Sequence, residues 1–360
     1  MRKRFVLTIA ILAISLLAGC GQNLETADTG APTMEQVNPT DGGEAEPISE
    51  PMIGENIFAY EMKEDGTVKI TGLTDSTLKE ITIPEQIAGS TVTEIGSNAF
   101  NSCSGLTSVT IQEGVIAIGE NAFLNCFGLK SITLPESVTE IGHGAFAYCN
   151  GLTNMTLPKG VTAIGDELFY YCSGLTSITL PDGVTVIGDR VFEGCTGLTG
   201  ITLPDGVTVI GEYAFSGCSG LTGITLPGSV TSIGVNAFNG CSGLTSITLP
   251  ESVTSIGDTA FAHCSGLTNI TLPGRVTELG DSVLLDCSGL TSVTIQEGVT
   301  EISWRAFKGC SGLTSITIPE SVTDIDYEAF DGCENFTIYC VAGSYAENFA
   351  KEKGIAYVTE

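Results

Sequence analysis

Cationic and acid–base side chains are scarce in this chain of 360 residues. It has two histidines, one tryptophan and 14 Lys or Arg, against 42 Asp and Glu. Past residue 4 there is no basic run and no interleaving of basic with aromatic residues, which excludes the phosphate-neutralising patch that a nucleic-acid ligand needs. The formal net charge of −28 implies solubility and repulsion from anionic surfaces. Motifs of the G-x-S-x-G, H-E-x-x-H and phosphate-loop types are also missing. Enzyme chemistry needs a nucleophile, a base and an orienting group brought together, and these residues do not supply them. No enzymatic activity, cofactor or metal is expected.

Long apolar runs are equally rare. The one clear case is Phe5 to Leu17, preceded by Arg2, Lys3 and Arg4 and followed by Leu17-Ala18-Gly19-Cys20. The run is short for a membrane span and has the charged, apolar and small regions of an export signal. Its end resembles a bacterial lipobox, which implies a signal over residues 1–19 and lipidation of Cys20. Residues 20–56 contain no Lys or Arg and are rich in Gly, Pro, Thr, Asp and Glu. They cannot bury enough apolar area to offset chain entropy, so they are expected to be an acidic tether.

Cysteine is plentiful by contrast. Thirteen are present, and eleven of them, from Cys103 to Cys333, recur every 23 residues. They mark a repeat of the form Leu-x-x-Ile-x-Leu-Pro-x-x-Val-x-x-Ile-Gly-x-x-Ala-Phe-x-x-Cys-x-Gly. Ten units begin at Leu106 and then every 23 residues to Leu313, and an earlier, longer one begins at Leu78. That period and opening fall in the leucine-rich repeat range. LTSITLP suits a strand ended by proline, and stacked copies give a parallel sheet with strands about 4.8 Å apart. VTVIG reads as a second extended segment. In DRVFEGC, Phe192 and Cys195 share one face of a helical turn, with Asp189 as its N-cap and Gly197 as a left-handed C-cap. Asn335, the one replacement of that glycine among eleven coils, is the residue that best tolerates the same region.

Cysteines stacked one coil apart point the same way, whereas a disulfide needs Cβ atoms about 3.5–4.5 Å apart and aimed at each other. Zinc wants ligands converging on a point. The ladder is therefore expected to hold buried free thiols acting as small hydrophobes. A pairing of Cys333 with Cys340 stays open.

LTSITLPESVTSIGDTAFAHCSG and its copies resemble the BspA-like leucine-rich repeat proteins of bacterial cell surfaces. FAYEMKEDGTVKITGL and FTIYCVAGSYAENFAKEKGIAYV look like that family's end segments. The resemblance implies a leucine-rich repeat solenoid, mostly β, of eleven stacked coils with a parallel sheet on one face. It would comprise a hairpin lead-in over 57–77, repeats over 78–335 and a strand-helix-strand cap over 336–360. The function it implies is adhesion: a lipid-anchored monomer on the outer face of the membrane that binds an extracellular protein or glycan. Two alternatives are a surface spacer without a ligand and ice binding by ranked threonines.

Three groups depart from the pattern enough to be candidate sites. Tyr148 and Tyr171 hold the same position in consecutive coils, with Tyr170 beside them, and Phe146 and Phe169 already fill the core there. This tyrosine cluster is the candidate partner-binding surface. Asp166, Asp189 and Glu212, and Asp182 with Asp205, stack into carboxylate rows that read either as a Ca²⁺ locus or as a solvated face. Thr153, Asn154 and Thr156, with their copies in later coils, fill the exposed strand positions. His143 and His263 lie five coils apart, about 24 Å along the axis, and cannot share a site.

Overall fold

The structure, a computed structural model, describes residues 57–360, so the signal expected over 1–19 and the anchor and tether expected over 20–56, with Cys20, lie outside the described residues. Each repeat forms one turn of a stacked coil. Leu175, Ile178 and Leu180 are buried while Ser177 and Thr179 between them face out, the two-residue alternation of a half-buried strand. Because one period separates equivalent residues, Asn154 pairs with Ser177 and Met155 with Ile178 in a parallel register of 23. The last repeat is continued by Thr337–Cys340 and then Ala356–Thr359. The stack therefore reaches about 13 turns, two more than the eleven repeats.

The sheet is not continuous. It divides into groups of three, two, two and five strands on this face. In the coil of Leu198 the strand shrinks to a single bridge, Thr202 with Thr225. Gly200 stands there in place of the usual Ser or Asn, and glycine weakens a strand because it has no side chain to pack. A second, shorter parallel ladder runs through Val186–Ile187, Val209–Ile210, Ser232–Ile233 and Ser255–Ile256. At the start, Phe58–Met62 pairs antiparallel with Val68–Leu73, which pairs in parallel with Ser90–Ile95 in a separate sheet. At the end, helix Tyr345–Lys353 is capped by Ser344, which accepts the Glu347 N–H, and by Gly354 at φ 70°.

The third side of each coil departs from the expected helical turn. It consists of two successive three-residue turns, with Glu193 N–H donating to Arg190 and Cys195 N–H to Phe192. The N–H groups between them point along the axis, so that Phe192 donates to Ala214 in the next coil at 2.8 Å. Left-handed backbone falls at the residue before the cysteine in all eleven coils, as at Gly194 (φ 73°), and not at Gly197. Gly197 is glycine for a different reason: a Cβ there would lie 2.6 Å from the Ser173 carbonyl oxygen of the preceding coil. Only Asn335, beyond the last cysteine of the ladder, adopts the left-handed conformation at that position (φ 58°). Nor does Asp189 cap its own turn. Its carboxylate accepts the Glu212 N–H of the next coil at 2.8 Å.

The core is a set of ladders. Phenylalanines from Phe100 to Phe261 stack with centroids 5.0 to 5.8 Å apart. Leu284 interrupts the column, which resumes with Phe307 and Phe330. Cys103 departs from the expected row of free thiols, being disulfide-bonded, whereas the cysteines from Cys126 to Cys310 are buried free thiols, Cys333 is a half-buried one, and Cys333 and Cys340 are not paired. Burial pushes the thiols of Cys126, Cys172, Cys218 and Cys287 up to about 12.

Candidate functional site

The tyrosine cluster sits on the turn side. Tyr148 and Tyr171 occupy the position before the cysteine, so both adopt left-handed backbone, at φ 58° and 54°. Such angles are easy for glycine, which five of the eleven coils use there, and are strained for a bulky residue. Their rings stack at 5.5 Å with an interplanar angle of 18°. Tyr170 meets both rings edge-on, at 5.3 and 4.6 Å. The far side of the Tyr171 ring lies on Gly194, where any Cβ would come within 2.8 Å of a ring carbon. With its amide nitrogen turned toward the tyrosines, Asn150 donates to the Tyr171 carbonyl at 2.6 Å. Tyr171 remains 43% exposed, and Tyr148 and Tyr170 are half-buried.

Sequence reasoning placed these three residues together but missed what surrounds them. Glu193 lies under the cluster and pairs with Arg190 at 2.9 Å, and the Arg190 guanidinium stacks on Tyr213 at 4.4 Å. Glu167 pairs with His143 at 3.4 Å. Burial, and then the charge of Glu193, push the Tyr170 hydroxyl well above the usual phenol range. Burial pushes the Glu193 carboxyl up despite its contact with Arg190, and Glu167 adds to the rise. The signal for all of them was legible only as departures from the repeat, since Arg190 and Tyr213 replace residues that are Asn in three other coils.

The other candidates resolve into structural parts. Asp166 accepts the Asp189 N–H at 2.9 Å, Asp189 accepts that of Glu212, and Asp258 accepts that of Asp281. These carboxylates satisfy backbone donors between coils, and among the described residues no group of His, Cys, Asp or Glu is arranged to hold a metal ion. The threonines divide into two sets. Thr176, Thr222 and Thr245 donate their hydroxyls to the carbonyl of the equivalent residue one coil earlier and so tie coils together. The second set faces outward in register, as in Thr202, Thr225 and Thr248. A shallow groove of about 600 Å³ crosses this face beside Gly200 and Gly223, flanked by Ser177 and Ser246. His263 faces Asp286 at 3.5 Å, remote from His143.

The model of the BspA type leucine rich repeat region matches residues 93–222 and 208–337, with six copies. The chain belongs to that family. A leucine rich cell surface protein from Faecalibacterium prausnitzii is 33% identical over 87% of this chain and 99% of its own, with a TM-score of 0.51. A leucine-rich repeat protein from Bacteroides ovatus is 26% identical over 84% of this chain and 98% of its own, at 0.59. One from Eubacterium ventriosum, at 24% identity, 78% and 81% coverage and 0.50, shares the fold. No curated protein matches the chain.

Proposed function

We propose that this protein is a lipid-anchored interaction module of the cell surface, held by Cys20 and binding an extracellular protein or glycan through Tyr148, Tyr170 and Tyr171. Surface location is supported by the cell-surface relative, which the chain covers almost completely. The observation that carries the binding reading is the backbone of Tyr148 and Tyr171. Gly194, Gly217 and Gly240 fill that place in the next three coils, Ser102, Asn125, His263 and Asp286 fill it elsewhere, and only these two consecutive coils carry tyrosine there. Two bulky residues held in left-handed backbone, with their rings at the surface, are strain retained for contact. A spacer has no use for them.

The test is Tyr148→Gly with Tyr171→Gly, screened against matrix proteins and a glycan array. Binding to the strongest ligand should weaken about tenfold or more, as for loss of interface anchors. Thermal unfolding should stay near that of the wild type, because relief of backbone strain offsets the lost ring stacking. Unchanged affinity would place the contact surface elsewhere on the solenoid.

A further inference from the structure

Tyr170 and Tyr171 lie in a strongly acidic stretch of the solenoid. Residues 160–274 contain nine Asp and Glu and one cation, Arg190. That cation is already engaged by Glu193 and by the Tyr213 ring. The Glu193 side chain is mostly buried, which raises its affinity for a proton despite the contact with Arg190. The nearby Glu167 carboxylate is about one-third exposed and faces His143 at 3.4 Å. Surface tyrosine rings in a field with this excess of carboxylates attract Lys and Arg side chains twice over, through the ring quadrupole and through charge. A sulfated or otherwise anionic glycan would meet repulsion there, and a neutral glycan would draw nothing from the field.

Resting on the surface assigned above, we propose that its partner is a basic protein segment, whose Lys or Arg side chains lie against Tyr148, Tyr170 and Tyr171 and are neutralised by Glu167 and Glu193. The field of the acidic coils steers such a segment in, and the tyrosines supply contact area at small entropic cost.

The full chain is tested against three probes: a flexible Lys-Gly-Ser peptide, its Glu-Gly-Ser counterpart and maltohexaose. The Lys peptide should bind, and its affinity should fall about tenfold or more between roughly 50 and 300 mM NaCl. Glu167→Gln with Glu193→Gln should weaken it to a similar extent, and Glu167→Gln alone, which leaves Arg190 paired, by about threefold. Asp182→Asn with Asp205→Asn removes the same charge elsewhere and should change affinity less than twofold. Equal losses in the two double variants would reduce the effect to bulk charge and overturn the proposal. Preference for the Glu peptide, or salt-independent capture of maltohexaose that Tyr171→Gly abolishes, would overturn the basic partner while leaving the tyrosine surface in place. If Tyr148→Gly with Tyr171→Gly alters binding of no probe, the surface itself fails.

Discussion

The Cys218 thiol donates to the Phe192 carbonyl of the preceding coil at 3.1 Å, and that same carbonyl accepts the Cys195 N–H at 3.0 Å. The arrangement repeats from Cys126 to Cys333 with sulfur–oxygen distances of 3.0 to 3.3 Å, Leu284 standing in for Phe once. Cysteine at this position is therefore a small hydrophobe that also carries a donor, and that donor fills the second lone pair of a buried carbonyl. Alanine has neither the sulfur's volume nor the hydrogen.

The ladder thiols should differ in reactivity according to their place in it. Thiolate is the reacting form, and burial holds the interior thiols far from ionisation at neutral pH. Cys333 is half-buried, and its contact with the Cys310 side chain holds the Cys333 thiol below the usual thiol range, which favours the thiolate. Alkylation of folded protein near pH 8 should therefore label Cys333 first among Cys126 to Cys333. The nine cysteines from Cys126 to Cys310 should appear only on denaturation. Peptide mapping that finds Cys195 or Cys218 modified as fast as Cys333 would contradict the packing.

Three glycines of similar sequence setting should respond differently to alanine. At Gly220 a Cβ would fall 2.4 Å from the Thr196 carbonyl oxygen, so Gly220→Ala forces two coils apart and should cost about 3 kcal/mol or more. At Gly217, φ is 72° and the nearest heavy atoms are 3.7 Å from an added Cβ. Gly217→Ala carries only the left-handed penalty, about 1–2 kcal/mol. Gly200 has open space and ordinary backbone, so Gly200→Ala should be neutral or stabilising by about 0.5 kcal/mol. Urea unfolding midpoints in the order Gly200→Ala, Gly217→Ala, Gly220→Ala, from highest to lowest, are the expected result.

The same contrast explains why the coil was legible in the sequence and its turn was not. A 23-residue period with Leu, Ile, Val, Phe and Cys at fixed places dictates stacking, because no single coil can bury them. The glycine two residues after the cysteine is present in ten of eleven coils, and its constancy suggests a required backbone angle. It reflects a required absence instead, since nine of these glycines lie so close to the preceding coil that a Cβ would sit 2.2 to 2.9 Å from a carbonyl oxygen. Left-handed backbone tolerates substitutes, and the residue that adopts it varies among Ser102, Asn125, Tyr171, His263 and Gly309. Variation hid the conformational position, and constancy marked a steric one. The tyrosines were legible because they break the pattern. Arg190 breaks it too, but its contacts with Glu193 in the same turn and with Tyr213 in the next coil appear only once the turn is folded.

Anchoring can be separated from binding. Cys20→Ala should leave the uncleaved precursor or release the protein into the medium, read by detergent-phase partitioning and by the size of the product. Partitioning unchanged from the wild type would remove Cys20 as the anchor and leave the solenoid's surface chemistry unaffected.

Stability should pass through a maximum at mildly acidic pH. Glu278, Glu301 and Asp324 face one another in register on the second ladder, an arrangement of like charges that costs stability. Burial and then Glu278 raise the Glu301 carboxyl, and burial with Asp258 raises Asp281. Groups raised in the folded state bind protons more tightly there than in the unfolded chain. Folding therefore gains as pH falls from neutral through their folded values toward the ordinary carboxylate range, about 4. Glu328, hydrogen-bonded by Arg305, and Glu347, hydrogen-bonded by Lys351, are lowered instead. Their contribution is present above the ordinary range and is lost as pH drops through their folded values, so the gain reverses below about pH 4. Melting temperature should rise from pH 7.5 to about 5 and fall again toward 3. Glu301→Gln removes the central like charge, so it should raise the melting temperature at pH 7.5 and shrink the rise on acidification. A variant whose profile runs parallel to the wild type would show that Glu301 is already relieved by solvent, and that the acid gain has another source.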